Sequence, residues 1–137
     1  MALFMGKMVL LMLALLLTAM TISCQDIGRK TRHIKISNDL DGNPPLIVHC
    51  KSADNDIGEK TIHHGDLYEF SFKPSIIPSS TLFHCSFQWS NILHHFNVFD
   101  ERTDCSECWY TVKKDGKNLC RYDFKVGQYD LCSVWND

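Results

Sequence analysis

"TLFHCSFQW", residues 81–89, sets the architecture. Phe83, Cys85, Phe87 and Trp89 occupy every second position, with His84, Ser86 and Gln88 between them. Side chains alternate faces along a β-strand, so this spacing predicts a strand with one apolar and one polar face. His84 beside Cys85 invites three readings: a nucleophile with its base, a metal site, or a disulfide end. Alternation sends the two side chains to opposite faces. Cys85 then reads as a disulfide end on the core side.

The same period recurs outward from this strand. "RHIKIS" (32–37) turns Ile34 and Ile36 inward, and "LIVHCK" (46–51) places Leu46, Val48 and Cys50 on one face. Tyr68, Phe70 and Phe72 alternate in "HHGDLYEFSF" (63–72). "ILHHFNVFD" (92–100), "CWYTVKKDGKNLCRYDF" (108–124) and "GQYDLCSVW" (127–135) supply the rest. "DLDGNPP" (39–45) is dense in turn residues, and "SADNDIG" (52–58) reads as a polar break. "KPSIIPSS" (73–80) carries Pro74 and Pro78, which do not suit a central strand. About eight short strands with turns between them predict an all-β fold, a small disulfide-bonded antiparallel β-sandwich. A closed barrel is the alternative. Asp115-Gly116 is a pair favoured in two-residue hairpins. That register sets Val112 against Leu119, Trp109 against Tyr122 and Cys120 against Thr111. Cys108 and Cys120 are then roughly 10 Å apart on opposite faces, too far to bridge.

At the N-terminus, Lys7 precedes the apolar run "MVLLMLALLLTAM", followed by "TISC". A basic start, a short apolar core and small residues at a cut describe a secretory signal peptide. The run falls short of the roughly 20 apolar residues that span a bilayer, although an uncleaved anchor is the alternative. Residues 1–24 are expected to be the signal and residues 25–137 a single domain, secreted, extracellular and not membrane-spanning. The chain holds seven cysteines. Cleavage after Cys24 leaves Cys50, Cys85, Cys105, Cys108, Cys120 and Cys132, an even set for disulfides whose connectivity stays open. Cleavage after Ser23 would leave one thiol over. The formal charge is −2. "RKTRHIK" (29–35) is the sole basic cluster and reads as a solvated arm, so nucleic acid is not an expected partner.

"CSEC" (105–108) lacks the second C-x-x-C of a zinc ribbon and the helix start of a thioredoxin-like site. Cys105 and Cys108 therefore read as structural, each free to bridge to a different strand. His33, His49, His63, His64, His84, His94 and His95 invite a metal reading. Adjacent strand positions face opposite ways, so neither His94-His95 nor His84-Cys85 suits a single ion. Strand and loop histidines on solvated faces are the expectation, with a surface that responds to acidification as a hypothesis. No G-x-S-x-G, H-E-x-x-H or Gly-rich phosphate loop is present. Asp54, Asp56 and Glu59 cluster in a polar turn without the ligand ladder of an EF-hand. No cofactor, metal or catalytic residue is expected. The strict N-x-[ST] glycosylation pattern is absent.

"VHCKSADNDIG" (48–58), "LFHCSFQW" (82–89), "CWYTVKKDG" (108–116) and "YDLCSVW" (129–135) occur in that order. Together they resemble the plant self-incompatibility S-protein homologues, small secreted proteins named after stigma proteins that reject self pollen. The resemblance runs from about Ile34 to Asn136. It implies a disulfide-bonded β-sandwich, no catalytic activity, and an extracellular ligand in cell–cell signalling. In the best understood members, the partner is a membrane protein on the pollen side. Most members are not assigned to pollen rejection, so "secreted signalling ligand" is what carries over. The family cysteines map onto Cys50, Cys85, Cys108, Cys120 and Cys132, and Cys105 maps less closely. "SVW" (133–135) stands where many relatives have Tyr-Pro-Trp.

The leading expectation is a monomeric ligand of a plasma-membrane protein receptor, with specificity in loops on a rigid scaffold. "DLDGNPP", "SADNDIGEK", "KPSIIPSS" and "ERTDCSE" (101–107) are the candidate loops. Ile76 and Ile77 either pack beneath the sandwich or form an exposed patch. The second expectation is a sandwich that binds a small ligand or glycan, with Trp89, Trp109 or Trp135 as a stacking platform.

Overall fold

The computed structural model describes residues 6–15, 30–75 and 81–137. Ser23, Cys24, Ile76 and Ile77 lie outside the described residues. The chain divides into two units, residues 1–30 and 31–137. In the first, residues 6–15 are helical. No described helix is long and apolar enough to cross a membrane.

The second unit is all β. Its strands are β1 (Arg32–Asn38), β2 (Leu46–Lys51), β3 (Asp56–Ile62), β4 (Leu67–Phe72), β5 (Phe83–Trp89), β6 (Ile92–Phe99), β7 (Glu107–Val112), β8 (Leu119–Asp123) and β9 (Gln128–Ser133). Two sheets form, one ordered β4-β1-β7-β8-β9 and the other β3-β2-β5-β6. This is the sandwich rather than the closed barrel. One ladder, β1 with β7, is parallel, with Ile36 level with Tyr110. The remaining ladders are antiparallel. The parallel pair arises because the chain makes its second sheet between β1 and β7 and returns in the same direction.

The opening stretch forms β5 at the centre of the second sheet, between β2 and β6. Phe83, Cys85, Phe87 and Trp89 are all buried. Across the core they meet Ile34, Ile36, Tyr110 and Val112 of the first sheet, with Leu46 and Val48 beside them on β2. Phe83 packs between Phe72, 4.4 Å between ring centres, and Phe70, 5.0 Å. Burial of each such side chain contributes about 1.5–3 kcal/mol.

The strand β3 begins at Asp56, inside the stretch 52–58 that reads as a polar break, and runs on to Ile62. Only Ser52–Asn55 turns, closed by the Ser52 amide donating to Asn55 O at 2.8 Å. Then Asp56–Ile62 pairs with β2 as an edge strand whose one fully buried residue is Ile62. Two tyrosines tie structure across the core. Tyr68 receives the Cys50 amide at 3.1 Å and donates to Gly58 O. Tyr110 donates to Val98 O at 2.6 Å.

The β7–β8 connection keeps the expected register, Val112 level with Leu119 and Thr111 with Cys120. Its loop is wider than a two-residue hairpin. The Lys113 amide reaches Asn118 O, and the Gly116 amide closes a turn on Lys113 O at 2.8 Å. Gly116 sits at φ +71°, and its position crowds the Trp89 ring. Trp135 Nε1 donates to Gly116 O at 2.9 Å. Trp89, Trp135 and Leu40 thus gather around this glycine and plug one end of the sandwich.

Candidate recognition surface

Alternating strand direction divides the loops between two poles. The 39–45, 63–66, 90–91 and 113–118 connections share the pole plugged by Trp89. The 52–55, 73–82, 100–106 and 124–127 connections share the other. Three of the four candidate loops therefore meet at one pole, and "DLDGNPP" lies at the opposite end. A cleft of about 480 Å³ joins the first two, between Ser52, Asp54, Lys73, Ser75, Leu82 and His84. A smaller one, lined by Thr81, Leu82, Asp100, Glu101 and Arg102, joins the second to the third.

The described residues at this pole are held by local bonds. Asp100 Oδ1 accepts from the Arg102 amide at 2.8 Å, and Thr103 Oγ1 accepts from the Asp100 amide at 3.0 Å. Asp123 Oδ1 accepts from the Lys125 amide at 2.9 Å in the β8–β9 hairpin. Loops ordered in advance lose less entropy when a partner binds. The hairpin brings Phe124 and Val126 to this pole, 55% and 58% exposed. The sequence reading passed over both. Their signal was two apolar residues, 124 and 126, inside the turn closed by Gly127. Charges at the pole are mixed, Lys51, Lys73, Arg102 and Lys125 among Asp54, Asp100, Glu101 and Asp104.

The cysteines pair as Cys50–Cys85, Cys105–Cys108 and Cys120–Cys132. Cys50 faces Cys85 across β2 and β5, and Cys120 faces Cys132 across β8 and β9. Cys105, in the loop before β7, bridges Cys108, the second residue of β7, so neither reaches another strand. The short chain between them keeps the sulfurs together at the start of β7.

His33, His49, His84, His94 and His95 lie on strands, and His63 and His64 lie in the turn between β3 and β4. His84 turns away from Cys85, as alternation requires, and pairs with Asn97 Oδ1 at 2.8 Å. It stacks on His95, 5.3 Å between ring centres. His49 pairs with Asp56 at 2.6 Å, and that hydrogen bond, followed by one from the Gly58 amide, lowers the Asp56 pKa. Among the described residues, no group of three His, Cys, Asp or Glu side chains is placed to hold a metal ion.

After β9, the chain crosses to the second sheet and straps its β6 edge. The Asn136 amide donates to His95 O at 2.8 Å, and Asn136 Oδ1 accepts from the Asn97 amide at 2.7 Å. Asp137 bonds His94 through Oδ2 and the His95 amide through Oδ1. The His94 hydrogen bond is the main cause holding the Asp137 pKa below its ordinary value. One carboxylate at a strand edge thereby meets both members of the His94-His95 pair.

The tryptophans part company. Trp89 is core, and Trp135 lies parallel to His94 at 4.7 Å. Trp109 is half-buried on the outer face of the first sheet, beside Tyr122 at 5.5 Å and Phe124 at 4.9 Å. Lys35 Nζ sits 4.7 Å from the centre of its ring. On the open side between β6 and β9, Phe96, Tyr110 and Leu119 line a cleft of about 490 Å³, together with Arg102 and Arg121.

The family model "Plant self-incompatibility protein S1" matches residues 33–135. Similar curated relatives come from Arabidopsis thaliana. S-protein homolog 2 is 34% identical over 113 residues, covering 77% of this chain and 68% of the relative. S-protein homolog 5 is 37% identical over 99 residues, covering 70% and 72%. S-protein homolog 4 is 34% identical over 110 residues, covering 75% and 71%. No solved structure matches. The match runs from the second residue of β1 past the end of β9, and with it the chain belongs to the plant self-incompatibility protein S1 family, the S-protein homologues.

Proposed function

We propose that the chain is secreted after removal of residues 1–24 and acts, without catalysis, as a signalling ligand of a plasma-membrane protein. The observation that carries this reading is the pole where the 52–55, 73–82 and 100–106 loops converge with the exposed Phe124 and Val126. Exposed apolar side chains among ordered polar loops give a partner an apolar centre and a hydrogen-bonding rim. The disulfide at Cys50–Cys85 clamps the two strands that lead into the 52–55 and 73–82 loops. Tyr68 and Tyr110 spend their hydroxyls on backbone carbonyls as struts.

Crosslinking of the disulfide-intact protein to receptive cells tests the proposal, with reduced and alkylated protein as control. Capture of a membrane protein by the intact form alone is the expected result. Equal capture by both forms would overturn the rigid-ligand reading. Glycan binding is the second reading, and Trp109 is the tryptophan it would use. Lys35 occupies one face of that ring, and Tyr122 and Phe124 tilt against it at 40° and 64°. A stacking platform needs open, level rings, so the protein-ligand reading is preferred.

A further inference from the structure

We propose that Cys105–Cys108 is a thiol–disulfide exchange site, opened by a dithiol reductant while the other two bridges stay closed. Cys105 is the exchanging sulfur.

Three observations lead there. First, the bridges differ in what holds them. Cys50 and Cys85 are both fully buried and face each other across a ladder, and buried Cys120 faces exposed Cys132 across another, so there the ladder alone holds the bridge. A ladder holds the freed thiol opposite the mixed disulfide, where it attacks, expels the reductant thiol and closes the bond again. Cys105 precedes β7 in a loop, is only half-buried, and has no ladder partner opposite its buried partner Cys108.

Second, two guanidinium groups meet Cys105. Arg121 Nη1 lies 3.3 Å from Cys105 Sγ, and Arg32 Nη1 donates to Cys105 O at 2.7 Å. Arg32 Nε is a buried donor with no acceptor among the described residues. Asp104 lies 3.6 Å from Arg121 Nη2, with its side chain 88% exposed, so water weakens its claim on the charge. A cation beside a thiol lowers its pKa and favours the thiolate.

Third, the fold tolerates opening of this bridge. The sequence separations are 3, 12 and 35 residues. By chain-entropy scaling, opening the shortest favours the unfolded state about 8-fold less than opening Cys120–Cys132, and about 40-fold less than opening Cys50–Cys85.

The steps balance. One thiolate of the reductant attacks Cys105 Sγ, the Cys105–Cys108 bond breaks, and the Cys108 sulfur leaves and takes a proton. The second thiolate of the reductant then attacks the reductant sulfur of the mixed disulfide. Cys105 leaves as a thiolate beside Arg121, and the reductant departs as a disulfide, having given two electrons.

The test uses the full disulfide-bonded chain, dithiothreitol in rising concentration, iodoacetamide trapping and peptide mass spectrometry. The expected first product is labelled at Cys105 and Cys108 alone, with an unchanged near-ultraviolet circular dichroism spectrum. First labelling at Cys120 and Cys132, or all bridges opening together with loss of the spectrum, would overturn the proposal. In the selectively reduced protein at pH 7, Cys105 should alkylate roughly tenfold faster than an ordinary thiol. Arg121→Met should remove that advantage and Arg121→Lys should restore it. An unchanged rate in Arg121→Met would overturn the assignment of Cys105.

Discussion

Replacing Gly116 by alanine probes the packing that closes one pole. A Cβ at this position would stand 2.6 Å from Trp89 Cζ2 and 3.5 Å from Leu40 Cδ2. Carbon atoms prefer about 3.5–4.0 Å, so the indole must retreat by about 1 Å in a filled core. Such overpacking costs about 1–3 kcal/mol. The backbone φ of +71° adds about 1–2 kcal/mol for any residue with a Cβ. The sum, about 2–5 kcal/mol, is a large share of the roughly 5–15 kcal/mol that holds an ordinary domain together. Gly42→Ala is the control. Gly42 has φ +80° but nothing within 4 Å of the new Cβ, so it meets the backbone cost alone. Urea unfolding of the oxidised protein, followed by tryptophan fluorescence, measures both. Gly116→Ala should lower the midpoint well beyond Gly42→Ala at unchanged slope. Losses equal within about 0.5 kcal/mol would refute the claim that the Trp89 contact sets the cost.

Three further predictions concern buried bonds and termini. Tyr110→Phe leaves Val98 O without its donor and should cost about 1–3 kcal/mol in the same titration. Burial pushes the Tyr110 pKa up to about 12 from 10.0. The stability tied to its neutral form is therefore complete below pH 10 and lost as pH rises through about 12, and Tyr110→Phe should flatten that alkaline fall. Asp137 behaves oppositely. Its pKa is depressed, chiefly by the His94 hydrogen bond, so its contribution is present above the ordinary carboxylate pKa and lost as pH falls through the folded one. Unfolding midpoints from pH 6 downward should show a smaller acid loss in Asp137→Asn than in the parent. Removing the Cys50–Cys85 bridge by double alanine substitution should cost about 4 kcal/mol, against under about 2 kcal/mol for the Cys105–Cys108 pair. Equal losses would contradict the loop-length account.

What the sequence revealed follows from where the hydrophobic effect acts. The β5 strand and its neighbour β2 carried alternation; β2 was legible to the residue, and "TLFHCSFQW" overran β5 by Thr81 and Leu82. The strand β3 was not, because an edge strand with one buried residue has no apolar period to read. Pairing order is a long-range property, so the parallel neighbours β1 and β7 were invisible. The same holds for the strap from Val134 to Asp137, which uses side-chain and backbone hydrogen bonds that leave no pattern in hydropathy. Asp115-Gly116 gave the right register for β7 and β8 but the wrong turn. Gly116 is there for φ and for the Trp89 ring beside it. Of the candidate loops, "DLDGNPP" is a connection throughout, "SADNDIGEK" runs into β3 from Asp56 onward, "ERTDCSE" ends on the first residue of β7, and of "KPSIIPSS" only Lys73, Pro74 and Ser75 are described. Their convergence at one pole needed the topology.

The central claim is that recognition resides at the pole of the 52–55, 73–82 and 100–106 loops. Binding of labelled, disulfide-intact protein to receptive cells tests it through matched substitutions at the two ends. Asp54→Lys, Arg102→Glu and Phe124→Ser alter one pole, and Asp41→Lys, His64→Glu and Lys114→Glu alter the other. All six positions are exposed, so the fold should persist. The account predicts that the first set abolishes cell binding and the second preserves it. Retained binding in the first set, with loss in the second, would contradict it.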